Sequence, residues 1–313
     1  MIKTSEMTSA IYKTLLKIYK ISPFKRLTCL ILKGLKISNS KFYKDLKFLG
    51  QFKVDVNNSN SFKLYHHGGN IENETYWKGL FQTWENDTGW IWLELCKFSE
   101  TIFDIGANTG IYSVTAKSIN PDSDVYAFEP SNNTYNKLLL NNSLNDFDIT
   151  CEKIALSNHN GNKIFYDTPD SNQTSASLSP EKLKNWDGYS GEISEYEVQT
   201  MELSNYIKNK SICKIDLMKI DIEMHEPEAI EGLGSYLLKF KPIIIVEVLS
   251  EAVADKLNNL IDTKNHTIFH LKGEENSKLV EEFSLQPPFW NYLIFHKDLT
   301  EKIKSNTTLF KKN

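Results

Sequence analysis

The sequence predicts an α/β fold: a mostly parallel sheet with helices on both faces, preceded by an N-terminal helical and hairpin extension. Three observations carry that expectation. An apolar run ends in Phe103-Asp104-Ile105 and passes at once into Gly106-Ala107-Asn108-Thr109-Gly110, after which residues 109–119 carry a helical pattern. A second apolar run, 125–128, stops on an acid, Glu129, followed by Pro130. Late in the chain Pro242-Ile243-Ile244-Ile245-Val246-Glu247-Val248 is almost continuously apolar, as a central strand buried on both faces must be. Strands that alternate with helices build parallel sheets, and such sheets hold their ligands at the carboxyl ends of the strands.

The first turn has the ingredients of a nucleotide pocket. Its glycines allow close backbone approach. The helix behind it offers free N–H groups and the positive end of its dipole. A dinucleotide fingerprint needs three glycines, but counted from Gly106 the second and third positions hold Asn108 and Ile111. The spacing Gly106-x-x-x-Gly110, preceded by Asp104, suits a cofactor without phosphates, with an amino-acid end and a ribose to hold. S-adenosylmethionine fits, with Glu129 accepting hydrogen bonds from both ribose hydroxyls. A strand-turn-helix whose glycines serve packing alone is the plain alternative; the pairing with Glu129 and with the later motif speaks against it.

Length and composition bound the rest. The chain has 313 residues, 40% hydrophobic and 24% charged, enough for one α/β domain with additions. A net charge of −4 gives no footprint of nucleic-acid binding. Cys29, Cys96, Cys151 and Cys213 form no C-x-x-C pair, so buried thiols in a reducing cytosol are expected rather than disulfides or structural zinc. The apolar run 27–32 is too short to span a bilayer, and no secretory signal is evident.

Charge is spread unevenly. Residues 1–36 hold eight basic residues against Glu6, a local charge of +7 that leaves −11 for the remainder. Lys13, Lys17 and Lys20 share one helical face and Ile11, Leu15 and Ile18 another. Such a helix can lie on an anionic membrane or pack on the body of the protein with its lysines solvated. Pro23 ends it, and a second apolar run, 27–35, follows. Alternation across 48–65 with the insert Asn57-Asn58-Ser59-Asn60 predicts a hairpin. Tyr76-Trp77 and Trp84-Glu85 are placed on helices leading to Trp90 and Trp92, with Glu85 an acid among aromatics that must find a partner. Strands are expected near 149–154, 163–166 and 196–201, and helices at 132–142 and 203–207. The aperiodic polar stretch 167–191 is a candidate lid or substrate loop.

A second constellation is Met218-Lys219-Ile220-Asp221-Ile222-Glu223-Met224-His225-Glu226-Pro227-Glu228. Residues 215–222 read as a buried strand with Asp221 at its carboxyl end. Asp221 and Glu223 share a side while the chain stays extended, and His225 follows at the turn. Pro227 suits the first turn of the next helix, where Glu226 and Glu228 are expected only to favour its positive end. Glu247, inside its apolar strand, must be paired or face the crevice. A helix at 251–261 follows. Strands near 267–271 and 292–295 are expected as an antiparallel hairpin at the sheet edge, joined by 272–288, and residues from 297 on as a frayed polar tail.

The set Asp104-Ile105-Gly106-Ala107-Asn108-Thr109-Gly110, Phe128-Glu129-Pro130, Lys219-Ile220-Asp221-Ile222-Glu223-x-His225-Glu226 and Ile245-Val246-Glu247-Val248 resembles the FkbM family of S-adenosylmethionine-dependent methyltransferases. The likeness runs over about residues 48–295 and leaves the first 40 residues outside it. It implies a class I methyltransferase (Rossmann-like) sheet of seven strands and methyl transfer to a hydroxyl of a sugar, a polysaccharide or a polyketide-type natural product. It divides the chain into a basic segment (1–47), a hairpin and helices packing on the core (48–98), the methyltransferase domain (99–297) and the tail (298–313).

Carried over, Asp104, Gly106, Asn108 and Gly110 line the methionine end of the cofactor and Glu129 holds the ribose; Ala107 and Ala155 complete the cofactor-binding set. Asp221 and Glu223 border the reaction crevice. His225 is the first candidate for the base, because an unperturbed imidazole titrates near neutrality, and Asp221 the second. A divalent metal on Asp221, Glu223 and His225 is not favoured, and no metal site is assigned. The family usually has glycine where this chain has Met224, which adds strain if that position needs a positive φ. A non-catalytic methyltransferase-like module in glycan assembly and a nicotinamide oxidoreductase are the alternatives. The expected setting is cytoplasmic, with peripheral contact at the inner membrane face through residues 1–36.

Overall fold

A computed structural model of the protein describes residues 16–34, 41–167, 176–178 and 193–311. Residues 16–21 are helical, and the next helix is Lys25–Gly34; of the two expected helical faces Lys17, Lys20 and Ile18 are described, and Ile11, Lys13 and Leu15 lie outside the described residues. The hairpin follows as expected, β1 (Gly50–Asp55) antiparallel to β2 (Ser61–His66). Its loop is closed by Asn57, whose side-chain oxygen accepts from the backbone N–H groups of Ser59 and Asn60. The hairpin is tied down by asparagines in and just after the helix Asn132–Ser143. Asn141 accepts from Tyr65 N and donates to Thr109 O, and Asn145 accepts from Lys63 N.

The later strands are β3 (Thr101–Ile105), β4 (Asp124–Phe128), β5 (Thr150–Glu152), β6 (Ala155–Ser157), β7 (Gly161–Asp167), β8 (Ser194–Glu202), β9 (Leu217–Ile220), β10 (Ile243–Glu247), β11 (His266–His270), β12 (Lys278–Val280) and β13 (Asn291–His296). The main sheet has the order β12-β11-β13-β10-β9-β3-β4-β5, and β6, β8 and β7 form a separate three-stranded sheet. The pairs β10–β9, β9–β3, β3–β4 and β4–β5 are parallel, while β13 enters antiparallel between β10 and β11. These are the seven expected strands with β12 added at the edge.

Two details differ from expectation. The pair β11–β13 is antiparallel as expected but does not form the edge: β13 lies between β10 and β11, and β11 is flanked in turn by β12. The connection after β11 supplies β12, which covers what would otherwise be an open edge. The strand expected at 149–154 is shorter, β5, which closes the main sheet, and the residues just after it form β6 of the small one.

Strand periodicity sorts the core. Ile102, Ile243 and Ile245 point to one face of the sheet, into a cluster shared with Trp92, Val114 and Leu293. Phe103, Ile105, Ile244 and Val246 point to the other, with Tyr206, Ile230 and Leu257. The C-terminal segment is no frayed tail. Thr300–Asn306 is a helix that buries Ile303, Leu309 is buried beyond it, and Thr308 donates from both its backbone N–H and its hydroxyl to Glu94. Its four apolar residues, Leu299, Ile303, Leu309 and Phe310, dock it on the first cluster. Nor are all thiols buried: Cys29 and Cys96 are, Cys151 is half-buried and Cys213 is exposed.

Two turns at the carboxyl ends of β3 and β9 interlock. Gly106 N and Ala107 N both donate to Phe128 O, and Asp221 N donates to Ile105 O at 3.0 Å. Gly106 has φ +82°, and a Cβ there would lie 1.9 Å from the carbonyl oxygen of Asp221. The second turn is left-handed at two successive residues, Glu223 (φ 60°) and Met224 (φ 77°). The position where glycine was expected therefore does take a positive φ, with methionine in it. The turn is held by Glu226, whose Oε1 accepts from Ile222 N at 3.0 Å and Met224 N at 3.2 Å. Glu226 thus clamps the turn, a larger role than the favourable helix end expected of it.

Gly106→Ala combines left-handed strain with overlap against backbone and is expected to cost about 3 kcal/mol or more; a chemical-denaturation midpoint matching the parent's would refute the interlock. At Met224 backbone relief of about 1 kcal/mol in Met224→Gly is offset by lost packing, so stability should stay within about 1 kcal/mol of the parent. Met224→Val, β-branched at positive φ, should lose about 2 kcal/mol in the same assay.

Candidate active site

The interlocked turns open onto a cavity of about 440 Å³ at the carboxyl ends of β3, β4 and β9, a size that holds a nucleoside-sized ligand. Eight of the residues singled out in the sequence line it: Gly106, Ala107, Asn108, Glu129, Ala155, Asp221, Glu223 and His225. Asp104 and Gly110 do not. Asp104 is buried and accepts from Ser113 Oγ at 2.5 Å, so it braces the turn against the helix that follows. Gly110 starts that helix at φ +85°, where a Cβ would meet Leu138 at 2.4 Å.

Glu129 stands at the end of β4, as expected. Its Oε2 accepts from Asn108 N (3.0 Å) and its Oε1 from Ser131 N (2.8 Å). Asn108 can present that N–H because it adopts φ 51°, a conformation asparagine tolerates better than most residues. Burial pushes the Glu129 carboxyl up to about 7, and the two backbone donors hold it from rising further.

Beside it lies a charge cluster whose centre had no role in the sequence reading. Lys219 sits in β9, buried on both faces. Its Nζ donates to Asp221 Oδ2 at 2.6 Å and lies 4.4 Å from the centre of the Tyr112 ring. Burial by itself would lower this ammonium, but Asp221, Glu85 and Asp104 outweigh burial and hold it charged. Glu85 finds its partners here: Tyr112 Oη and Thr88 Oγ1 donate to its Oε2 at 2.5 and 2.7 Å. Burial raises the Glu85 and Asp104 carboxyls, with Lys219 the largest opposing influence on each. Trp84 and Glu85 are not helical as expected but lie in a turn, with Glu85 at φ 53° aiming its carboxylate inward. The missed signal was Lys219 itself: a lysine in a fully buried strand needs anions on its own side, and Asp221 lies two residues on.

His225 lines the cavity but is engaged within the protein. Its Nε2 is 3.0 Å from Ser157 Oγ, and its Nδ1 lies 3.7 Å from Glu228 Oε2. Burial pulls the imidazole down to about 4, partly opposed by Glu228. The premise for choosing it as the base, an ordinary imidazole pKa, therefore does not hold. Asp221 is committed to Lys219, and among the described residues no three His, Cys, Asp or Glu side chains could together hold a metal ion.

The cavity is also lined by Trp84, which packs on the Tyr112 ring, and by Trp290, Leu249 and Glu247, the last facing the crevice as required of an acid in that strand. The expected lid or substrate loop lies outside the described residues save for its first residue and 176–178. Of these, Asp167, Ala176 and Leu178 line the cavity, and Ser177 Oγ donates to Glu223 O at 2.6 Å.

Comparison with known proteins places this geometry. The chain is 22% identical over 175 residues to hexuronic acid methyltransferase AglP of Haloferax volcanii, covering 56% of this chain and 66% of that protein. It is 24% identical over 196 residues to methyltransferase sdnD of Sordaria araneosa, covering 55% and 76%. A solved FkbM methyltransferase from Methylobacillus flagellatus aligns with a TM-score of 0.38 and 14% identity over 63% of this chain and 44% of its own. The chain thus spans just under two thirds of AglP and less than half of that structure. Residues 104–268, more than half of the chain, match the model of the methyltransferase FkbM domain, and the protein belongs to the FkbM methyltransferase family.

Proposed function

We propose that the protein transfers a methyl group from S-adenosylmethionine to a hydroxyl of a neutral, hydroxyl-rich acceptor, a sugar, glycan or natural product. Glu129 carries this reading: a buried carboxylate at the end of the second parallel strand, aimed into a nucleoside-sized cavity, beside a turn in which Gly106 has no room for a side chain. The residues present fit the cofactor. Glu129 receives the ribose hydroxyls, and Gly106, Ala107 and Asn108 supply close backbone for the amino-acid end. The cofactor supplies an electrophilic methyl on a sulfonium.

The wall charge favours the same chemistry. Among the described residues six carboxyl groups line the cavity, Glu85, Glu129, Asp167, Asp221, Glu223 and Glu247, against one ammonium, Lys219. That imbalance suits a cationic cofactor and disfavours a carboxylated acceptor. AglP is named for a hexuronic acid; a neutral sugar suits this cavity better. Trp84 and Trp290 in the lining offer flat apolar faces and Glu247 a hydroxyl acceptor.

Positioning supplies much of the rate, and Asp221 takes the acceptor's proton. Its Oδ2 is fixed by Lys219 and the carboxylate opens on the cavity. Glu223 orients the acceptor from the adjacent turn. His225 stays neutral and positions the turn through Ser157. Asp221→Asn is expected to lower turnover by about 10² or more while Kd for S-adenosylhomocysteine changes little, and His225→Asn by less than about tenfold. Stopped-time assays with labelled cofactor check this, and the reverse ranking would return the base to His225.

Cofactor affinity should follow Glu129. Only the carboxylate accepts from both hydroxyls, so the affinity for S-adenosylhomocysteine should be full above pH 7 and fall as the pH drops below about 7. Glu129→Gln should weaken it by roughly 10–100-fold and flatten that dependence, as calorimetry across this range would show. Equal binding by parent and variant at pH 8 would remove Glu129 from the cofactor site.

A further inference from the structure

We propose that the outer face of residues 16–34 docks the protein on an anionic lipid membrane. The inner face of this segment is anchored to the body. Tyr19 is buried, its hydroxyl donating to Lys47 O at 2.6 Å and touching Cys29 Sγ at 3.2 Å, and Lys33 donates to Tyr76 O. The helix Lys25–Gly34 buries only Cys29. What remains faces out: Ile18, Ile21, Phe24, Leu27, Leu30 and Ile31 are each more than half exposed, Ile21 to 84% and Phe24 to 65%. These are six of the eleven large apolar side chains exposed among the described residues, gathered within one short stretch. A water-facing surface scatters such side chains singly; a concentration of them marks a contact surface.

Charge selects the occupant. Residues 16–34 contain five cations, Lys17, Lys20, Lys25, Arg26 and Lys33, and no acid, in a chain of net charge −4. Lys17, Lys20 and Arg26 are exposed among the apolar side chains. A second copy would bring like charge onto like charge across a two-fold contact. An anionic lipid surface offers an apolar layer and negative headgroups together, as amphipathic basic helices require. Among the described residues no helix is long and apolar enough to cross a bilayer, so the segment would lie in the interface plane.

Flotation of the full-length protein with phosphatidylcholine vesicles, with and without phosphatidylglycerol, tests this independently of methyl transfer. Binding is expected to the anionic vesicles alone and to weaken with salt. Ile21→Asp combined with Phe24→Asp should reduce it at least about tenfold, and Lys17→Gln with Lys20→Gln by about fivefold per cation. Both double variants should keep the parent's thermal midpoint. The proposal is overturned by equal binding to neutral vesicles, by full binding of the variants, or by no binding to the anionic vesicles, where a dimer in sedimentation that the Ile21→Asp and Phe24→Asp changes dissociate would assign the face to a second copy instead.

Discussion

The site depends on one buried ammonium. Lys219 stands among Asp221, Glu85 and Asp104, the last buried and the first two half-buried at the cavity wall. A buried charge set of this kind depends on its partners, and removing one typically costs about 3–5 kcal/mol. The cation also sets geometry. It fixes Asp221 at the cavity wall and lies on the Tyr112 ring, and Tyr112 in turn holds Glu85. Elements far apart in sequence, β9, the helix Ile111–Ile119 and the turn before Gly89–Cys96, are thereby locked to one another at the place where the acceptor would meet them.

Backbone geometry adds a second constraint. The two turns approach so closely that a single Cβ at Gly106 would collide with Asp221 O, and this contact makes one site of two motifs. Strain concentrates nearby. Among the non-glycine residues with positive φ, Glu85, Asn108 and Glu223 line the cavity and Met224 adjoins it. Each conformation costs energy that the surroundings must offset. They do so through hydrogen bonds: Thr109 N donates to Asn108 Oδ1, Glu226 clamps the turn around Met224, and Thr88 holds Glu85. The family's glycine at 224 would relieve one of these strains, and its replacement by methionine places a half-buried side chain against the second core cluster instead.

Much of this was legible in the sequence because periodicity and punctuation are local. The apolar runs ending at Ile105 and Val246, the turn after Asp104 and the acid after Phe128 each announce their element without reference to the rest of the chain. What could not be read depended on distant partners. Asn141 and Asn145 look like ordinary polar positions of a helix and the turn after it, yet they bond the backbone of β2. The segment after residue 297 looks polar, yet Ile303 and Leu309 dock it. His225 carries the right chemistry for a base by residue type; only its burial against Ser157 and Glu228 shows why its basicity is spent.

Protonation ties the stability of the fold to the readiness of the site. Glu129 and Glu226 both titrate near 7 in the folded protein, above an ordinary carboxyl, because burial disfavours their charge. Between about pH 4.5 and 7 the folded state therefore holds protons at these two positions that the unfolded chain has lost, and their contribution to stability falls as pH rises through that window. His66, His67 and His225 act in the opposite sense. Burial lowers each to about 4, so below the ordinary imidazole value of about 6.5 the unfolded chain binds protons that the folded state refuses, and stability falls as pH drops. The two sets oppose each other below pH 7, and above it Glu129 is ionised. There Glu129 pays for its charge in folding energy, and the hydroxyls of a bound ribose are the donors that would offset the cost. A site that is least comfortable empty when ionised is one that a polyhydroxylated ligand stabilises most.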